Sequence, residues 1–87
     1  MTSRTTVEFW QGYRALPEEV KEQARAAYRR FQQDPHHRGL RFRRVHQTHP
    51  FYSARVGLHY RAVGAVEGDT IIWFWIGSHA EYDNLIK

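Results

Sequence analysis

The chain has 87 residues, room for one small domain with one modest core, and its five Phe, five Tyr and three Trp make an aromatic-rich core the expectation. With no cysteine, disulfides, thiolate catalysis and cysteine-ligated zinc are excluded, and a reducing compartment is suited. The formal charge of +4 favours phosphate-bearing or acidic partners through long-range attraction without naming one. No apolar run nears the roughly 20 residues that cross a bilayer, and MTSRTTVEF lacks the apolar region of a signal peptide, so a cytoplasmic protein without a membrane partner is expected.

In chain order, residues 1–5 are expected to be disordered. In TTVEFWQGYRAL, Phe9, Trp10, Tyr13 and Leu16 recur at helical spacing, and Thr5 with Glu8 fits a capping box. A short helix is predicted there, with Gly12 in its interior costing about 1 kcal/mol relative to alanine. Pro17 followed by Glu18 and Glu19 opens a second helix. Its apolar stripe is Val20, Ala24, Ala27, Tyr28 and Phe31, and Asp34-Pro35 stops it near Gln33. The two helices form a helical hairpin.

From Leu40 the period changes to two, with Leu40 and Phe42 on one face and Arg41 and Arg43 on the other. Phe51–Val56 reads as a second strand and residues 59–66 as a third. A tight Glu67-Gly68-Asp69 turn then leads into Thr70–Ile76. Both faces of IIWFWI are apolar, so that strand is expected to be covered by the helices on one side and by the C-terminal tail or a partner on the other. The fold class is therefore α+β: an N-terminal helical hairpin on a four-stranded twisted antiparallel sheet, with a short C-terminal helical turn, in a single domain.

After the last strand, Ser78 and Glu81 have capping-box spacing, which would make His79 an exposed first-turn residue with no further duty. Its surroundings suggest more. Six arginines lie between Arg38 and Arg61. Arg61, with Tyr60 and His59 beside it, sits on the strand that the Gly68 turn pairs with IIWFWI, Arg55 shares the alternating register of the strand before, and guanidinium groups bind phosphate oxygens bidentately. A histidine, with an unperturbed pKa of about 6.5, suits both halves of acid–base RNA cleavage. The bland alternative is a solvated basic face that keeps a small protein soluble. His36, His37, His46 and His49 have no carboxylate or cysteine at ligand spacing, so no metal or other cofactor is expected. Trp73 and Trp75 read as core or partner interface before base-stacking platforms.

The segment YSARVGLHYRAVGAVEGDTIIWFWIGSHAEYD, above all RVGLHYR followed by the Gly68 hairpin, the apolar strand and a polar ending with histidine, resembles the RelE/ParE superfamily. These are toxins of bacterial type II toxin–antitoxin modules, and the superfamily joins ribosome-dependent mRNA endonucleases with gyrase-poisoning relatives. The resemblance spans roughly residues 9–86. It implies that Arg61 contacts the scissile phosphate, that His79 is a general acid or base and Tyr82 a catalytic tyrosine, and that Arg55 flanks the same groove. His59, Arg41 and Arg43 are the further candidates for RNA or phosphate binding. Against the family pattern, a helix around FWQGY replaces the usual first β-strand, and arginines and histidines stand where several nucleases have lysines.

The resemblance thus implies a toxin, in its leading form a metal-independent, ribosome-associated mRNA endonuclease. The alternatives are a gyrase-inhibiting toxin without chemistry of its own and an inactive interaction module. All imply a cognate antitoxin; ribosome and mRNA, or DNA gyrase, would be the target, and a homodimer is left open.

Overall fold

The computed structural model describes residues 1–86. Its elements are β1 (Thr2–Thr5), α1 (Val7–Arg14), α2 (Glu18–Gln33), a 3-10 turn (Arg38–Leu40), β2 (Arg43–Arg44), β3 (Phe51–Val56), β4 (Tyr60–Glu67), β5 (Thr70–Ser78) and α3 (His79–Leu85). The sheet has five strands in the order β1-β5-β4-β3-β2, with β1 parallel to β5 and the other pairs antiparallel. The class is α+β as expected, but the strand count is five.

The extra strand is the segment expected to be disordered. TSRT has no apolar residue, and an edge strand that buries nothing leaves no hydrophobic signature. It is held by its backbone, with the N–H groups of Thr2 and Thr6 donating to Asp69 and Trp73 carbonyls at 2.9 and 3.1 Å. The helix around FWQGY therefore follows a first strand and does not replace it. Its N-cap is Thr6, whose Oγ1 accepts from Phe9 N at 3.2 Å, one residue later than the expected Thr5.

The strand expected from Leu40 shrinks to Arg43–Arg44. Leu40 ends the 3-10 turn, and Arg41 has φ 46°, a left-handed conformation that breaks the alternation. Leu40 nonetheless reaches the core, and Phe42 stacks on Tyr52 at 5.1 Å. The β4–β5 hairpin forms as expected, with Gly68 at φ 58° in its turn.

One face of the sheet carries the main core. Ala54, Val56, Ala62, Ile71, Trp73 and Ile76 meet Val20, Ala27 and Phe31 of α2, and Phe31 packs edge-on against Trp73 at 5.3 Å. Phe9, Tyr13 and Leu16 pack on this cluster, while Trp10 and Tyr28, both counted in apolar stripes, are each 42% exposed. The hairpin is splayed: α1 lies on β5 and α2 on β3, bridged by Arg25 donating to Tyr13 Oη at 2.6 Å. Between them an open groove of about 520 Å³ reaches down to core side chains.

In β5 the alternation slips. Trp73 pairs with Gly64 and Trp75 with Val63, so Phe74 is an extra residue in a β-bulge. Trp73 and Ile76 stay on the core face, and Phe74 and Trp75 are both directed to the other, where Phe74 meets Phe51 at 5.1 Å and Trp75 meets Tyr82 at 6.4 Å. That second face is covered by α3, so IIWFWI is enclosed from both sides as expected. Among the described residues no helix is long and apolar enough to cross a membrane.

Gly12 in the middle of α1 has a packing reason. A Cβ there would lie 2.9 Å from the Ile76 carbonyl oxygen, closer than real Cβ contacts come, so glycine is what lets α1 sit directly on β5. Gly12→Ala should therefore lower stability in denaturant unfolding by roughly 1–3 kcal/mol through overpacking, although alanine is about 1 kcal/mol better than glycine in an unpacked helix.

Candidate functional site

The face under α3 gathers most of the residues singled out above. Register places Arg55, Arg61 and Gly77 side by side across β3, β4 and β5, so the two arginine side chains leave the same face of the sheet. Arg43 lies opposite Ser53 on that face. Burial lowers the Arg61 pKa, which the nearby Tyr82 opposes; Arg43, Arg55 and Arg41 lower it further. None of these four arginines has a carboxylate within salt-bridge distance among the described residues; the two ion pairs found there are Lys21–Glu18 and His79–Asp83. Such a cluster repels itself and is relieved by an anion.

Within it the arginines differ. Arg41 and Arg43 are exposed. Arg55 is half-buried and donates from Nε to the Gly57 carbonyl at 2.9 Å. Arg61 is 8% exposed. Its Nη1 donates to Ser53 Oγ at 2.9 Å, and its Nε is buried with no hydrogen-bond partner among the described residues. The Tyr82 ring lies over the guanidinium carbon at 5.3 Å, a cation–π contact. Tyr82 is itself buried, at 5% exposure.

His79 opens α3 at the rim of this face. Its backbone N–H donates to the His59 carbonyl at 2.7 Å, which brings the two histidines together where β4 starts and β5 ends. Its Nδ1 lies 3.3 Å from Asp83 Oδ2 one helical turn on, with both side chains half exposed. The ring centroid is 5.7 Å from that of Tyr82. His79, Tyr82, Arg61 and Arg55 thus form a contiguous run, with His59 at its end and Arg41 and Arg43 on its flank.

The expected capping box is present. Ser78 N and Oγ both donate to Glu81 Oε1, at 3.0 and 2.9 Å, and Glu81 N donates to Ser78 Oγ at 3.2 Å. Gly77 precedes it because a Cβ there would stand 2.7 Å from the Trp75 ring, which lies across the glycine under α3.

Two members were not foreseen. Ser53, the fully buried partner of Arg61, looks in sequence like one more small residue of an alternating strand, and only register joins it to Arg61. Asp83 stands at the i+4 spacing from His79 that a helix starting at Ser78 makes adjacent, so that signal was available. Among the described residues no group of three or more His, Asp or Glu is placed to hold a metal. His46 and His49 lie apart from this site on the loop before β3, where His49 stacks on Phe51 and His46 meets the same ring edge-on.

A family model for a ParE-like toxin domain matches residues 18–84. The fold is shared with solved structures of low identity. The RelB–RelE antitoxin–toxin complex from Methanococcus jannaschii aligns at 19% identity over 97% of this chain and 99% of that one, with a TM-score of 0.72. A YoeB/ParE toxin from Agrobacterium tumefaciens aligns at 16% identity over 91% and 99%, with a TM-score of 0.71. YafQ from E. coli aligns at 7% identity over 92% and 94%, with a TM-score of 0.74. No curated protein matches the sequence.

The cap predicts how α3 responds to mutation and acid. Ser78→Ala should cost about 1 kcal/mol in urea unfolding at neutral pH. The Ser78 backbone N–H and hydroxyl hold the Glu81 carboxyl below its ordinary pKa. Its contribution is therefore complete above the unfolded carboxylate pKa and is lost as pH falls through the lowered folded value. The variant should show a shallower loss of stability over that acid window.

Proposed function

The chain belongs to the ParE-like toxin domain family, and on that premise we propose that it is the toxin of a toxin–antitoxin module that cleaves mRNA on the ribosome without a metal. The observation that carries the reading is the cluster of Arg43, Arg55 and Arg61 on one sheet face with Arg41 beside it, free of carboxylate partners among the described residues, with His79 at its rim. Four cations with no counter-charge fit a polyanionic backbone.

In the reaction the ribose 2′-OH attacks the adjacent phosphorus, the P–O5′ bond breaks, and the products are a 2′,3′-cyclic phosphate and a 5′-hydroxyl. His79 moves the proton: with Nδ1 facing Asp83, Nε2 is left for the 2′-OH or the leaving 5′-oxygen. Arg55 and Arg61 stabilise the charge that grows on the phosphorane oxygens. His59, beside His79, and the exposed Arg41 and Arg43 hold flanking phosphates. The ribosome supplies the remaining alignment of the message.

A second reading, a gyrase-binding toxin with no chemistry, is favoured by the depth of Arg61, which a phosphate could not reach without movement. Induced expression of wild type and His79→Ala, with mapping of mRNA 5′ ends, separates the two. New ends inside translated messages should appear with wild type and fall by roughly 10²–10⁴-fold in the variant. Growth arrest with intact messages in both strains would reject the nuclease and bring gyrase forward.

An antitoxin partner is supported by the toxin family and by the likeness to a RelB–RelE complex. The groove between α1 and α2 offers it a seat, with an apolar floor that includes Phe31, Trp73 and Ile76, and Arg4, Arg25 and Arg29 in its lining. An amphipathic segment with acidic flanks would fill it. Tyr28→Glu on its wall should leave growth arrest intact and abolish rescue by the antitoxin of the same module; undiminished rescue would place the antitoxin elsewhere.

A further inference from the structure

Arg61 is the natural centre of the basic face, yet it is closed off. Ser53 occupies its Nη1, and its Nε is the buried side-chain nitrogen without a partner among the described residues. A buried guanidinium ordinarily meets a carboxylate. Here the Tyr82 ring attracts the cation but offers Nε no acceptor oxygen. A native structure that retains such an orphan calls for a partner supplied from outside or from another state.

The element above it is tied down at one end and stands over a cavity at the other. The N-terminus of α3 is held by the Ser78–Glu81 capping box and by His79 N–H on the His59 carbonyl. Under its C-terminal end lies a cavity of about 120 Å³ lined by His46, Phe51, Val63, Phe74, Leu85 and Ile86. Leu85 is 44% exposed. Tyr82 stands one turn from the fixed end, so a small outward swing of the remainder lifts its ring from the guanidinium.

We propose that Tyr82 is the movable cover of a site for a single phosphate group, displaced with the end of α3 when a phosphate oxygen accepts from Arg61 Nε and Arg55 holds a second oxygen. The inference rests on reading this face as an RNA-phosphate site and concerns the binding step alone. Tyr82 then acts through Arg61 as a positioning residue and takes no part in proton transfer. The closed form hides the central cation from free anions, and a phosphate already positioned by its neighbours on Arg41, Arg43 and His59 drives the opening.

The test is titration of the full chain, labelled with ¹⁵N, with inorganic phosphate, followed at Arg61 Nε–H and the Trp75 indole N–H. Tyr82→Ala should bind phosphate at Arg61 about 10–100-fold more tightly than wild type, as expected when an open state of about 1–10% becomes the whole population. Tyr82→Phe keeps the ring and should match wild type, and Arg61→Gln in the Tyr82→Ala background should lose the gain. Equal affinity in wild type and a folded Tyr82→Ala overturns the proposal. If Tyr82→Ala does not fold, hydrogen exchange of the wild type decides. Phosphate should then speed exchange of the amides of residues 82–85 and leave β4 unchanged, and no change or slowing in α3 overturns it. A phosphate response at Arg61 without mRNA cleavage would reject the nuclease and keep the cover. Cleavage with no effect of Tyr82 on phosphate binding would do the reverse.

Discussion

One extra residue in β5 decides what each face of the sheet receives. Without the bulge at Phe74, strict alternation from Trp73 would send Trp75 into the helix-covered core and Ile76 to the other side. With it, Ile76 stays under α1 and α2, and two consecutive aromatics face the opposite way. That second apolar surface gives α3 something to pack on. The seat of α3 in turn fixes where His79 and Tyr82 stand relative to Arg61, so the candidate site depends on a local slip in an otherwise regular strand.

The two faces answer different physical demands. The main core is dense with aromatic edge-to-face contacts among Phe31, Phe42 and Trp73, the arrangement by which a small domain gains most from few side chains. The second face buries a cation and surrounds it with three more. Repulsion among Arg41, Arg43, Arg55 and Arg61 works against folding, and no carboxylate among the described residues pairs with any of them. Ser53 orients Arg61 without neutralising it.

Much of the architecture was readable from residues alone because it follows local rules. Pro17 and Asp34 bracket α2, Gly68 makes the hairpin, and Ser78 with Glu81 starts α3, each through chemistry within a few positions. The readings that failed depended on partners remote in the chain or on an unusual backbone. TSRT becomes a strand because β5 offers it an edge, and nothing in its own composition says so. The alternation from Leu40 was real, but the left-handed Arg41 removed it from the sheet. In the site, Arg61, His59 and Arg55 are neighbours by short-range hairpin logic. The depth of Arg61 and the placement of Tyr82 over it required the fold of α3 on the bulged strand, which no spacing rule conveys.

The pairing of Thr2–Thr5 with residues 70–73 also governs the order of events during synthesis. β1 is made well before its partner strand, and Trp73 Nε1, which donates to Ser3 Oγ at 3.4 Å, is 70 positions away. Such a contact closes a loop of 70 residues, so it forms after the local β4–β5 hairpin and the β3–β4 pairing. A nascent chain therefore carries its basic arginines through the ribosome before β5 and α3 exist to arrange them. The face on which Arg55 and Arg61 lie side by side is thereby assembled only after β5 and α3 have been made.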